Sequence, residues 1–152
     1  METTNYDGKY DHDVIWKLES NVDDCSGEVL GYVSDCLFAA GARDVHFIPV
    51  YMKKNRPAWQ IDILCTEDKI HAMEQILFRE TTTIGVRRMQ MERTILRRRT
   101  ETVMTSSGEV AMKVCELDDG VKAYPEYDSV AALAKETGRP FAEIYREAQQ
   151  KL

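Results

Sequence analysis

Apolar and polar residues alternate where the ordered pattern of this chain begins: Val14, Trp16 and Leu18 fall on one side, Lys17 and Glu19 on the other. A period of two is that of a half-buried strand. The period then lengthens. Val29, Leu30, Val33, Cys36, Leu37 and Ala40 are spaced for one helix face, and Gly41 follows where a left-handed C-terminal residue is expected. Alternation returns from Val45 to Met52 and again in Trp59, Ile61, Ile63 and Cys65. Pro49 assigns the earlier of these two strands to a sheet edge, because proline has no N–H to give a neighbour. A second helix runs from Glu67 to Glu80 with Ile70, Met73 and Leu77 inward, and Thr81-Thr82-Thr83-Ile84-Gly85 breaks its periodicity. Val86 to Met91 is extended again.

The resulting order, βαββαβ, is the ferredoxin-like arrangement, an antiparallel sheet covered on one face by two helices. We assign it to residues 13–92, after a disordered lead-in over 1–12. Residues 93–152 form an appendage: strands Arg93 to Thr105 and Glu109 to Glu116 make a hairpin around Ser106-Ser107-Gly108, and two helices follow. The first runs from about Ser129 to Thr137 and ends at Gly138, and the second starts at Pro140 and carries Phe141, Ile144 and Tyr145. The fold class is therefore α+β, a ferredoxin-like core with a C-terminal hairpin and helical appendage.

Composition narrows the functional classes. A formal net charge of −6 over 152 residues argues against general nucleic-acid binding. That charge is uneven. The first thirty residues hold eight acids and two lysines, whereas Arg79 to Arg99 holds seven arginines and two acids. No apolar run is long enough for a membrane span and the N-terminus has no signal-peptide core, so a cytoplasmic location is expected. Cys25, Cys36, Cys65 and Cys115 lie far apart, with no pair at metal-binding spacing.

Two stretches carry candidate chemistry. Lys53, Lys54, Asn55 and Arg56 form a basic loop closed by Pro57, which suits an anion because lysine offers point charge and arginine a planar fork for phosphate or carboxylate oxygens. A solvated hairpin tip is the simpler alternative. Asn21, Asp23, Asp24 and Glu28 form a hard-oxygen cluster suited to magnesium or manganese. Taken alone, the two aspartates read more simply as caps of the helix that follows.

The motifs Leu18-Glu19-Ser20-Asn21-Val22-Asp23-Asp24, Met52-Lys53-Lys54-Asn55-Arg56-Pro57, Arg79-Glu80-Thr81-Thr82-Thr83-Ile84-Gly85-Val86-Arg87 and Pro125-Glu126-Tyr127 occur in this order. Together they resemble the C-terminal module of the LarC family, the nickel-insertion proteins of nickel-pincer cofactor synthesis. The resemblance runs from about Val14 to Gln150, with Ala58 and Cys25 standing where many relatives carry glycine and methionine. It implies a module that binds CTP with Mg or Mn, in a protein that places Ni into pyridinium-3,5-bisthiocarboxylic acid mononucleotide for lactate racemase. Residues implied for the nucleotide are Lys53, Lys54, Asn55, Arg56, Thr81, Thr82, Thr83, Arg87 and Arg88; those for the cation are Asn21, Asp23, Asp24 and Glu28. It leaves the catalytic residues unknown, and softer nickel ligands would come from an N-terminal region of the family, which makes the chain a shortened form or one product of a split gene. A homo-oligomer based on trimers is also implied. The alternative from a different class is a regulatory or assembly ferredoxin-like module without catalysis.

Overall fold

A computed structural model describes residues 10–151. Strand β1 (Tyr10–Val22) starts ahead of its expected position and takes in Tyr10, Asp11 and His12, so the last three residues of the expected lead-in are strand; residues 1–9 lie outside the described residues. Ion pairing explains why so polar a segment is extended: Arg93 donates to both carboxylate oxygens of Asp13, at 2.9 and 2.6 Å.

Helix α1 (Gly27–Ala39), strands β2 (Asp44–Met52) and β3 (Arg56–Cys65), helix α2 (Ile70–Glu80) and strand β4 (Arg87–Leu96) follow. The sheet order is β2-β3-β1-β4, with β3 antiparallel to both neighbours. This is the ferredoxin-like order, and it puts β2 with Pro49 at an edge. Alternation decides which side chains meet the helices. Leu18 and Val22 of β1 and Ile61, Ile63 and Cys65 of β3 pack against Leu30, Val33 and Leu37 of α1 and Ile70, Met73 and Leu77 of α2.

Ser26 caps α1, its Oγ accepting from Val29 N at 3.3 Å. The aspartates expected as possible caps do not serve that end. Gly41 follows the helix with φ 103°, and Gly41 N and Ala42 N return to the carbonyls of Phe38 and Leu37, both at 3.0 Å. A residue with a Cβ would be strained there.

Residues 12–93 form one unit, and the chain from Thr94 onward, with Tyr10 and Asp11, forms another. The second unit contains β5 (Arg98–Thr105), β6 (Gly108–Leu117), β7 (Gly120–Pro125), α3 (Tyr127–Thr137) and α4 (Phe141–Gln149). The expected hairpin is present as β5 and β6, and β7 widens it to a three-stranded sheet. The long strand expected from Arg93 is interrupted at Arg97, so its first residues belong to β4. Val110, Met112 and Val114 on the inner face of β6 pack with Val130 of α3 and Ile144 and Ala148 of α4 as a separate core.

Among the described residues, no helix is long and apolar enough to cross a membrane.

Candidate functional site

The loops after β1, before β3 and before β4 open at one end of the four-stranded sheet, where Val22 is paired in register with Trp59. Side chains join them. Arg56 Nη1 donates to Asp23 Oδ2 at 3.0 Å, linking the basic loop to the acidic one. Thr82 Oγ1 donates to Asp24 Oδ1 at 2.5 Å, linking the acidic loop to the threonine turn. Ser20, buried near the end of β1, bonds through its hydroxyl to Thr83 Oγ1 and donates to the carbonyl of Gly85 at 3.2 Å. Stretches far apart in sequence thus form one connected surface.

Lys53, Lys54 and Asn55 make a single 3-10 turn at the tip of the basic loop, all exposed. Lys54 and Asn55 both have left-handed backbones, with φ of 62° and 56°. Asparagine tolerates this region well, whereas lysine is held there at a cost of about 1 kcal/mol or more. Neither lysine has an ion-pair partner among the described residues. The turn therefore presents two uncompensated cations beside the Arg56–Asp23 pair.

Arg87 faces the opposite side of the sheet from the helices. Its Nε donates to Glu19 Oε1 at 2.6 Å, and its Nη2 donates to Asn21 Oδ1. Glu19 belongs to a polar network that sequence reasoning did not single out: Lys17 Nζ lies 2.7 Å from Asp62 Oδ2 and 3.1 Å from Glu19 Oε2, and Gln60 Nε2 donates to Glu19 and Asp62 at 3.0 Å each. Asp62 is 4% exposed, and these donors satisfy its carboxylate in place of water. Burial pushes the Glu19 carboxyl up, but the hydrogen bonds from Arg87 and Lys17 outweigh it and hold the group below its ordinary value. The Asp62 carboxylate pushes Lys17 upward against its partial burial, with Glu19 assisting. Period-two spacing was the available signal, because it puts Lys17, Glu19 and Asn21 on one face.

Other expected residues point elsewhere. Arg88, one position beyond Arg87, turns to the helix side and holds buried Glu74 of α2 through two bonds of 2.6 Å. Thr81 closes α2, its hydroxyl donating to Leu77 O at 2.6 Å. Glu28 is exposed in the first turn of α1, with no bonding partner among the described residues. Nor does any group of three or more His, Cys, Asp and Glu side chains converge as a metal site among them. Cys25 sits beside the acidic pair, and burial, with Asp24 nearby, pushes its thiol up.

The sheet order and the joined loops define a ferredoxin-like α+β module with a charged cluster at one sheet end. The chain belongs to the family described as nickel insertion protein, which it matches over residues 3–145. It is 44% identical over 135 residues to the pyridinium-3,5-bisthiocarboxylic acid mononucleotide nickel insertion protein of Alkaliphilus metalliredigens, covering 89% of this chain and 32% of that protein. The protein of the same name from Lactiplantibacillus plantarum is 42% identical over 136 residues, covering 90% and 32%. The chain thus spans about a third of the length of these curated relatives. Among solved structures, LarC2, the C-terminal domain of a cyclometallase involved in synthesis of the NPN cofactor of lactate racemase, matches with a TM-score of 0.85 at 40% identity, covering 93% of this chain and 98% of that one. A protein of Methanopyrus kandleri matches with a TM-score of 0.68 at 26% identity, covering 93% and 88%.

Proposed function

We propose that this chain is the CTP- and divalent-cation-binding module of a nickel insertase acting on pyridinium-3,5-bisthiocarboxylic acid mononucleotide. The observation that carries the reading is the junction of the basic, acidic and threonine loops at one sheet end, with Lys53 and Lys54 left uncompensated. A triphosphate needs such charge. Lys53, Lys54 and Arg56 would neutralise phosphate oxygens, Arg87, braced by Glu19, would reach the same anion from β4, and Thr82 and Thr83 would offer hydroxyls.

The acidic residues fit a cation carried by phosphate and do not fit a self-contained metal site. Magnesium and manganese commonly take one or two protein carboxylates and complete their shell with phosphate oxygens and water. Asp23 and Asp24 supply two, already bonded to Arg56 and Thr82, groups that an arriving phosphate and cation can replace. CTP so bound would supply activated phosphate; nickel would enter as cargo, with its softer ligands expected from the N-terminal region that the family resemblance implies. Calorimetry with magnesium or manganese is expected to show tighter binding of CTP than of ATP. Equal affinities would remove the nucleotide assignment.

A second reading, an assembly module without catalysis, draws on the exposure of apolar residues beside the same loops: Ile84 is 99% and Tyr51 74% exposed. A homo-oligomer, trimer-based by resemblance, would cover them. Light scattering of a Lys53→Ala, Lys54→Ala variant separates the readings: loss of assembly with CTP binding intact favours the second.

A further inference from the structure

The outer face of the three-stranded sheet carries cations that the site above does not use. Register places Arg98 opposite Cys115 and Cys115 opposite Lys122, so these three form one cross-strand row. The next row is Thr100, Lys113 and Tyr124. Because Val110, Met112 and Val114 point into the core, the alternate positions Lys113 and Cys115 point outward, and facing residues on one side of such a sheet are within side-chain reach.

Charge balance separates this patch from the rest of the arginine run. Arg93 pairs with Asp13, Arg97 with Asp11, and Arg99 with Glu101 and Glu116. Arg98 has no acidic partner among the described residues. Lys113 has Glu126 at 4.0 Å, the outer limit of an ion pair, and Lys122 lies over the Tyr124 ring at 5.8 Å. Arg98, Arg99, Thr100, Lys113 and Glu126 line a concavity of about 370 Å³.

We infer that this face is a second ligand site, taking a pyridinium mononucleotide through its phosphate monoester. Arg98 and Lys113, which line the concavity, suit a compact dianion with the Thr100 hydroxyl as a further donor, and Lys122 and Tyr124 stand beside it on β7. Glu126 and the half-exposed Tyr124 ring suit the ring cation, one by charge and the other by its π face. The choice of a pyridinium ligand rests on the proposed function, while the anion site rests on the sheet alone.

Titration of the full chain with nicotinic acid mononucleotide, a stable pyridinium mononucleotide, tests it. An Arg98→Gln, Lys113→Gln variant is expected to bind this probe about tenfold or more weakly and to keep its affinity for CTP. The Lys53→Ala, Lys54→Ala variant is expected to do the reverse. Circular dichroism confirms that each variant is folded, and Arg98→Lys is expected to retain most of the binding. Absence of binding by the unsubstituted chain, or equal binding by the Arg98 and Lys113 variant, would overturn the inference. Probe binding with the expected pattern alongside equal CTP and ATP affinities would sustain it while removing the nucleotide assignment of the other site.

Discussion

Arg56 and Asp23 hold each other at 3.0 Å across 33 positions of sequence, joining the basic loop to the acidic one. In the proposed function, a phosphate bound in the basic loop would compete with Asp23 for Arg56, and a cation carried by the phosphate would take the freed carboxylate. On that proposal the ion pair is a resting arrangement that both ligands would replace.

Arg56→Ala is expected to weaken CTP binding by about tenfold or more, since a charge-assisted contact is worth about 1.5–3 kcal/mol. Stability should change by less than about 1 kcal/mol, because the pair is exposed. Calorimetry and urea unfolding of one variant check both. An unchanged dissociation constant would move the triphosphate elsewhere.

The helix cap and the carboxylates beside it can be separated. Ser26→Ala is expected to cost about 1 kcal/mol of stability and to leave the metal dependence of CTP binding intact, because Ser26 supplies the cap bond. Asp23→Asn and Asp24→Asn should do the opposite, reducing metal dependence with little loss of stability. Melting curves and manganese titrations distinguish the two classes.

Arg88 is expected to matter for folding rather than for the nucleotide. Removing it in Arg88→Ala strands the buried Glu74 carboxylate; as the arginine side chain is 51% exposed, the cost should fall to about 1–2 kcal/mol, below that of a fully buried pair. CTP affinity should remain unchanged. Loss of affinity in a folded Arg88→Ala protein would place this arginine in the site.

Acid and alkali should act on the network that braces Arg87 from opposite sides. Glu19 is held below its ordinary value near 4.5, so its contribution is present above that pH and is lost as the pH falls through the lower folded value. Lys17 is raised above its ordinary value near 10.5, so its contribution is present below that pH and is lost as the pH rises through the folded value. Urea midpoints measured against pH should show both limbs, and Glu19→Gln should flatten the acid limb. An unchanged acid limb in that variant would assign the acid sensitivity to other carboxylates.

Much of the fold was legible because local signals agreed with tertiary demands. Pro49 marked the edge strand, and Gly41 and Gly138 marked helix ends that the structure forms with φ of 103° and 71°. The short β7 escaped because Gly120–Pro125 is only six residues long, is bounded by glycine and proline, and gains its pairing from β6. At the site, charge composition identified the loops but not the direction of each side chain. Arg87 and Arg88 look equivalent as a pair in sequence, yet period two sends one to Glu19 and the other to Glu74. Asp23 and Asp24 resembled caps because they precede a helix, but Ser26 stands closer to its free N–H groups. Partners such as Thr82 and Arg56, brought close only by folding, lay beyond local reading.

The two groups of buried side chains, one containing Leu18, Val33 and Leu77 and the other Val110, Val130 and Ile144, share no residue. Heat is expected to empty one of packing while the other stays filled. The calorimetric trace is expected to contain two endotherms, with Leu77→Ala lowering one and Ile144→Ala the other. A single melting temperature would then be an average over events that belong to different parts of the chain.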